Sequence, residues 1–183
     1  GVILIYTDTA LYQMQFIGPP FTFGFRQLGT NCGAVGINAA VDVNGIAYWM
    51  GNDSFFLFDG AVKKIPCSVQ DYVFDDINNN ALGDVFCAVN SDFNEVIWFY
   101  PSKNSNQIDR NVTYNYAEKI WYIGTLARSS WADRGVYSNP YAAEFEASDT
   151  TATISTINGV KEGRTFVYLH EEGVNDDGAA MNC

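Results

Sequence analysis

The sequence predicts an all-β fold, a β-propeller of several antiparallel blades with one short inserted helix, and three observations carry that prediction. Aromatic residues make up 15% of the chain, and its 17 Asn and 16 Gly supply the positive-φ turns that punctuate many short strands. Strand-like runs come in adjacent groups joined by turn signals. The Ile5-Tyr6, Tyr48-Trp49 and Trp98-Phe99 pairs stand 43 and then 50 residues apart, with Val167-Tyr168 a further 69 on. The first two intervals match a propeller blade of four antiparallel strands, which recurs about every 40 to 50 residues. The repeat lies in the strand pattern and not in any residue string, and a β-sandwich with strands of similar length is the competing architecture.

Each element follows from local chemistry. Val2 to Tyr6, the turn Thr7-Asp8-Thr9 and Ala10 to Ile17 form a hairpin. Gly45 to Met50, the turn Gly51-Asn52-Asp53, Ser54 to Phe58, the two-residue signal Asp59-Gly60 and Ala61 to Ile65 give three antiparallel strands. Three more are expected at Glu95 to Tyr100, Arg110 to Tyr116 and Ile120 to Gly124, the first two separated by the polar loop Pro101 to Asp109. A last pair is Thr151 to Ile157 and Thr165 to Leu169, with its turn at Asn158-Gly159. One segment departs from this pattern. In Ser68 to Ile77 the apolar residues Val69, Tyr72, Val73 and Ile77 recur at helical spacing, with Ser68 as N-cap and Asp71 as its carboxylate partner, and Asn78-Asn79-Asn80 ends the helix. It is expected as an insertion between blades.

A chain of 183 residues, 48% hydrophobic and 17% charged, has the apolar content of one folded domain or two small ones and excludes disorder. Its formal charge of -11 is a poor match for gripping a phosphate backbone. Residues 133–183 form a more acidic terminal segment, with nine acidic against three basic residues. No apolar run reaches the roughly 18 residues of a membrane helix. Residue 1 is Gly and opens directly into a strand-like run, which suggests a piece of something longer.

The motifs favour no enzyme. A single histidine, His170, removes most nucleophilic and acid–base machinery, and a solvated or carboxylate-paired role is expected for it. Cys32, Cys67, Cys87 and Cys183 show no CxxC pair, so reduced thiols are expected and a zinc site is not. The acidic strings Asp75-Asp76 and Asn175-Asp176-Asp177-Gly178 lack the spacing of a calcium loop and read as a solvated helix end and a tail. Gly29, Gly33 and Gly36 lack a Walker lysine and read as turn glycines. Asn52 and Asn111 satisfy the glycosylation sequon, which is common by chance. No cofactor and no metal are implied. Two features stand out. The aromatics of Trp98-Phe99-Tyr100, Tyr114-Asn115-Tyr116 and Trp121-Tyr122 are expected in the core, with a subunit contact as the second reading. In Ala127 to Arg134, Arg128 and Arg134 flank Trp131, where they would either dock a second chain or tie blades together through Arg–carboxylate pairs. Arg128, Trp131, Arg134, Trp98 and Trp121 are therefore the candidate subunit-interface residues.

The strings Leu11 to Phe25, Tyr48-Trp49-Met50-Gly51, Phe55 to Gly60, Asp71 to Asn78, Glu95 to Ser102 and Asp109 to Tyr116 resemble tailed-bacteriophage virion proteins of the tail nozzle or stabilisation type. The resemblance covers most of residues 1 to about 140 and weakens in the acidic tail. It implies a propeller subunit assembled as a homo-oligomeric ring, usually of six, in the tube through which the genome leaves the capsid. It further implies neighbouring tail proteins (adaptor, fibre or needle), assembly in the host cytoplasm and a final place in the virion tail. A full member of the family is much longer, so residues 1–183 are expected to be the C-terminal part of one. In such a conduit, acidity lets DNA pass transiently without tight binding. A glycan- or receptor-binding propeller of adhesin type, using exposed Trp and Tyr, is the alternative, and a carboxylate-based glycan hydrolase comes third.

Overall fold

The computed structural model describes residues 2–146, 164–171, 175–176 and 179–180. The chain divides into two compact units, Gly1–Ala127 and Arg128–Cys183.

The first unit is built from three antiparallel sheets. One is three-stranded: β1 (Ile3–Tyr6), β2 (Ala10–Gly18) and β3 (Thr22–Thr30), in that order. The second is a four-stranded meander of β4 (Ala40–Val43), β5 (Ile46–Met50), β6 (Phe55–Phe58) and β7 (Val62–Ile65). A helix, α1 (Gln70–Asp76), and a 3-10 turn at Leu82–Asp84 lead into the third, another four-stranded meander of β8 (Phe86–Asn90), β9 (Glu95–Tyr100), β10 (Arg110–Asn115) and β11 (Ile120–Gly124). The segments that open the two meanders are linked directly. Asn38 and Phe86 form a parallel bridge, and the Cys87 N–H donates to the Asn38 carbonyl at 2.8 Å.

Side-chain alternation along β5 explains how these sheets bury their faces. Tyr48 and Met50 point to one side, into a core shared with Phe55, Val73, Val96, Trp98, Tyr100 and Tyr114. Trp49 points to the other side, into a second core with Leu11, Cys32 and Phe56, against which Leu4, Tyr6 and Leu28 pack. The β4–β7 sheet is thus covered on both faces, by the β1–β3 sheet and by the β8–β11 sheet. Equivalent tryptophans sit in the second strand of each meander. Trp49 stands three residues after Ile46, which pairs with Val43 at the first turn, and Trp98 stands three residues after Glu95, which pairs with Asn90. Both indoles are fully buried and both donate to a backbone carbonyl, Trp49 to Cys32 at 2.8 Å and Trp98 to Ala39 at 3.0 Å.

Every strand expected within residues 2–124 is present, and the expected groups of three each gain a first strand, β4 or β8. The turn into β5 is Asn44-Gly45, with φ of 52° and 84°, the left-handed pair a two-residue hairpin requires. Asp59-Gly60 makes a three-residue connection instead of two, because Phe58 pairs with Val62. Strand β3 occupies a stretch that carried no strand expectation, and Gly29 lies inside it instead of in a turn. Gly33 is needed for close approach, since a Cβ there would lie 2.1 Å from the Asp8 backbone. The helix begins later than the sequence suggests. Its N-cap is Val69, with no side-chain cap bond, so Ser68 does not cap it. Of its expected apolar face Val73 and Ile77 are buried, whereas Tyr72 is half exposed and Phe74 packs on the core in its place.

The second unit contains the three-stranded sheet β12 (Ser130–Ala132), β13 (Tyr141–Glu146) and β14 (Arg164–Leu169), and a short ladder of β15 (Asn175–Asp176) with β16 (Ala179–Ala180). Strand β14 coincides with the expected Thr165 to Leu169. The expected strand Thr151 to Ile157 and its turn lie outside the described residues.

Candidate functional site

The tryptophans of the first unit fill its core. Trp98 has no exposed surface; its ring lies 4.9 Å from Phe55 and stacks on Trp121 at 6.0 Å. Trp121, half-buried, approaches Tyr114 at 4.6 Å and donates its indole N–H to the Pro66 carbonyl at 2.8 Å. Burial of this kind leaves Trp98 nothing to offer a second chain, in keeping with the core role expected first for these aromatics. Beside Trp121 runs an open groove of about 490 Å³ lined by Pro66, Cys67, Ser68, Lys119 and Ile120, which contains no carboxylate.

Arg128, Trp131 and Arg134 belong to the second unit. Strand pairing puts Trp131 opposite Ala142 and Ala142 opposite Tyr168, so Trp131, Ala142, Glu144 and Tyr168 share one sheet face. Arg128 is buried on that face. Its Nη1 donates to Glu144 Oε2 at 3.0 Å, its Nε donates to His170 Nε2 at 3.0 Å, and its guanidinium lies 4.1 Å from the Tyr168 ring centre. Trp131 completes the group, 4.6 Å from the His170 ring. Because His170 accepts at Nε2, that nitrogen carries no proton. Burial, then the neighbouring Arg128 charge, push its pKa down to about 4. His170 is therefore half-buried against Arg128, where the sequence suggested a solvated or carboxylate-paired side chain. It is a neutral acceptor for an arginine. The Arg–carboxylate pair foreseen for this segment forms within one sheet, between Arg128 and Glu144. Arg134 is exposed, and its backbone N–H donates to Asp133 Oδ1 at 2.8 Å.

At the end of α1, Asp75 is exposed, in line with the solvated helix end expected there, whereas Asp76 is engaged with its own chain. Asp76 lies 3.6 Å from Arg110, and the Tyr100 hydroxyl reaches it at 3.5 Å, so burial and this carboxylate raise the Tyr100 pKa. Asp109 accepts from both the Ser102 N–H and its hydroxyl at 2.7 Å. Among the described residues no group of three or more His, Cys, Asp or Glu is placed to hold a metal ion. Cys32, Cys67 and Cys87 are free thiols, and Cys183 lies outside the described residues. Burial pushes the Cys67 thiol up to about 11 and raises the Cys87 thiol well above its ordinary value, which keeps both in the unreactive form. Of the two sequons, Asn111 is buried and donates to Thr113 Oγ1 at 3.2 Å.

The feature that sequence reasoning missed is the hairpin of β2 and β3. β1 pairs with β2 only as far as Met14, and beyond that point the two long strands continue as a ribbon. Cross-strand pairing sets Met14 against Phe25 and Phe16 against Phe23, four apolar side chains on one face. Phe16, Phe25 and, at the turn, Phe21 are 64%, 66% and 77% exposed, with Ile17 and Phe23 about half exposed. The signal was legible in the sequence as a lack of charge, since Arg26 is the one charged residue from Ala10 to Thr30. Among the described residues no helix is long and apolar enough to cross a membrane.

Set beside known proteins, the chain matches no family model, and no curated protein sequence matches it.

Proposed function

We propose that this chain is a non-enzymatic structural subunit of a bacteriophage tail, of the nozzle or stabilisation type, and that its sheets are blades of a β-propeller within a homo-oligomeric ring. The observation that carries the reading is the succession of two four-stranded antiparallel meanders, stacked face to face, whose opening segments are bridged in parallel at Asn38 and Phe86. Successive propeller blades repeat in this way. The sequence resemblance over residues 1 to about 140 supplies the tail assignment, with a ring of about six copies, neighbouring adaptor, fibre or needle proteins, and a place in the virion.

The -11 charge supports a conduit over a gripping site, because a wall of negative charge repels phosphate and leaves DNA free to slide. The core positions of Trp49 and Trp98 and the carboxylate-free groove beside Trp121 give less support to a glycan-binding module or a hydrolase.

Two binding assays on the intact chain test the reading. Double-stranded DNA is expected to pass a filter unretained at low salt, and a glycan array is expected to stay blank. Salt-sensitive DNA retention would contradict the conduit, and binding of a defined glycan by the monomer would replace the structural role with an adhesin.

A further inference from the structure

We infer that Asn44-Gly45 is a deamidation site of this protein, and that the Asp42 carboxylate holds it closed. The chain contains two Asn-Gly pairs, Asn44-Gly45 and Asn158-Gly159. The first forms the two-residue turn between β4 and β5, closed by the pairing of Val43 with Ile46. Such a pair carries its own nucleophile. With no Cβ on Gly45 to screen it, the Gly45 nitrogen can come close to the Asn44 side-chain amide carbon. Once hydroxide has taken its proton, this nitrogen bonds to Cγ, the Cγ–Nδ2 bond breaks, and the departing nitrogen takes a proton from water and leaves as ammonia. Water then opens the cyclic imide at either carbonyl, which leaves aspartate or isoaspartate at position 44. Water is the only co-reactant.

Burial does nothing to prevent this reaction. Asp42, Asn44 and Gly45 are all exposed, and nothing lies within 4 Å of the place a Cβ on Gly45 would take. The protection comes from one contact, in which the Gly45 N–H donates to Asp42 Oδ1 at 3.1 Å. That bond acts on the step that starts the chemistry. A carboxylate that accepts the N–H favours the protonated nitrogen, and its charge opposes the second negative charge that proton loss would create beside it. The ladder on either side also sets the turn, with φ of 52° at Asn44 and 84° at Gly45, which narrows the conformations from which attack can begin.

Opening the site would damage the element that carries it. Isoaspartate routes the main chain through the former side chain and lengthens it by one carbon, which a two-residue turn does not accommodate. β4 follows closely on Asn38, whose bridge to Phe86 links the two meanders, so the damage would fall on a strand beside that link. The inference is independent of the tail reading.

The test incubates the full chain in mildly alkaline buffer, folded and in urea, and follows deamidation at Asn44 by peptide mapping with mass spectrometry. Folded wild type is expected to react at least ~10-fold more slowly than the same chain in urea. Asp42→Ala is expected to raise the folded rate about 3- to 10-fold, the effect of one exposed charge-assisted hydrogen bond. Asp42→Asn, which keeps an acceptor oxygen without the charge, should fall between the two, and the rate at Asn158-Gly159 should stay the same in all three. Hydrogen exchange separates the contact from the fold: in Asp42→Ala the Gly45 amide should exchange faster while the Ile46 amide stays as it was. A wild-type rate equal to that in urea would overturn the closed site. An unchanged rate in Asp42→Ala would overturn the role of Asp42, and a slower one would make its carboxylate a base that starts the reaction. Loss of Ile46 protection in that variant would assign the faster rate to an open hairpin and likewise overturn the inference.

Discussion

Trp98 joins the two four-stranded sheets: its ring fills the space beside Phe55 and Trp121, and its indole N–H donates to the buried Ala39 carbonyl. Trp98→Ala is expected to cost ~3–5 kcal/mol, from the lost transfer free energy and the cavity left behind. Urea unfolding should show this as a lower midpoint with little change in slope. His170 gives a prediction of a different kind. Its folded pKa of about 4 lies below the ordinary 6.5, so between those values the unfolded chain takes up a proton that the folded chain refuses. The stability it contributes is complete above pH 6.5 and is lost as pH falls towards 4. Followed by NMR, the imidazole should titrate near pH 4, and Arg128→Met should move it upward by removing the adjacent positive charge. A titration near 6.5 in the wild type would show that the Arg128 contact is not made. Both residues stood out in the sequence, Trp98 by its aromatic neighbours and His170 by being the one histidine. Neither the carbonyl that Trp98 meets, 59 residues away, nor the arginine that meets His170, 42 residues away, was legible, because long-range pairing depends on how whole sheets stack.

Among the elements, the first strands of the meanders separate what the sequence shows from what it hides. β5, β6, β7, β9, β10 and β11 carry dense runs of strand-forming residues. β4 is four residues long, contains Asp42 and directly precedes Asn44-Gly45, so its pattern is too short to register, although the turn after it is a strong hairpin signal. The turn itself is testable. Gly45 has φ of +84°, and Gly45→Ala should cost ~1–2 kcal/mol because an L side chain is strained there, although nothing lies within 4 Å of the added Cβ. A neutral substitution would mean that the β4–β5 hairpin is not held in this turn. The hairpin β2–β3 was half visible. β2 reads as a strand, but the Phe and Gly mixture of β3 alternates poorly, since its residues face a partly solvated ribbon and not a core. The helix starts later than its sequence pattern indicates, because Ser68 sits one residue outside the position a cap requires.

For the molecule as a whole, the all-β character and the blade-like spacing were legible in composition and turn chemistry. The face-to-face stacking of the β1–β3, β4–β7 and β8–β11 sheets was not, because it depends on which side of β5 each residue takes. The acidity, first a reason to set nucleic acid aside, argues only against gripping it. The central proposal is that these sheets are blades in a ring of identical copies. Electron cryomicroscopy of the purified oligomer tests it most directly. A closed ring is predicted, about six copies around an open lumen, with the β4 and β8 strands of each copy turned towards their propeller axis. Isolated monomers, or an assembly in which the β4–β7 and β8–β11 sheets form a sandwich with no axis between β4 and β8, would contradict it.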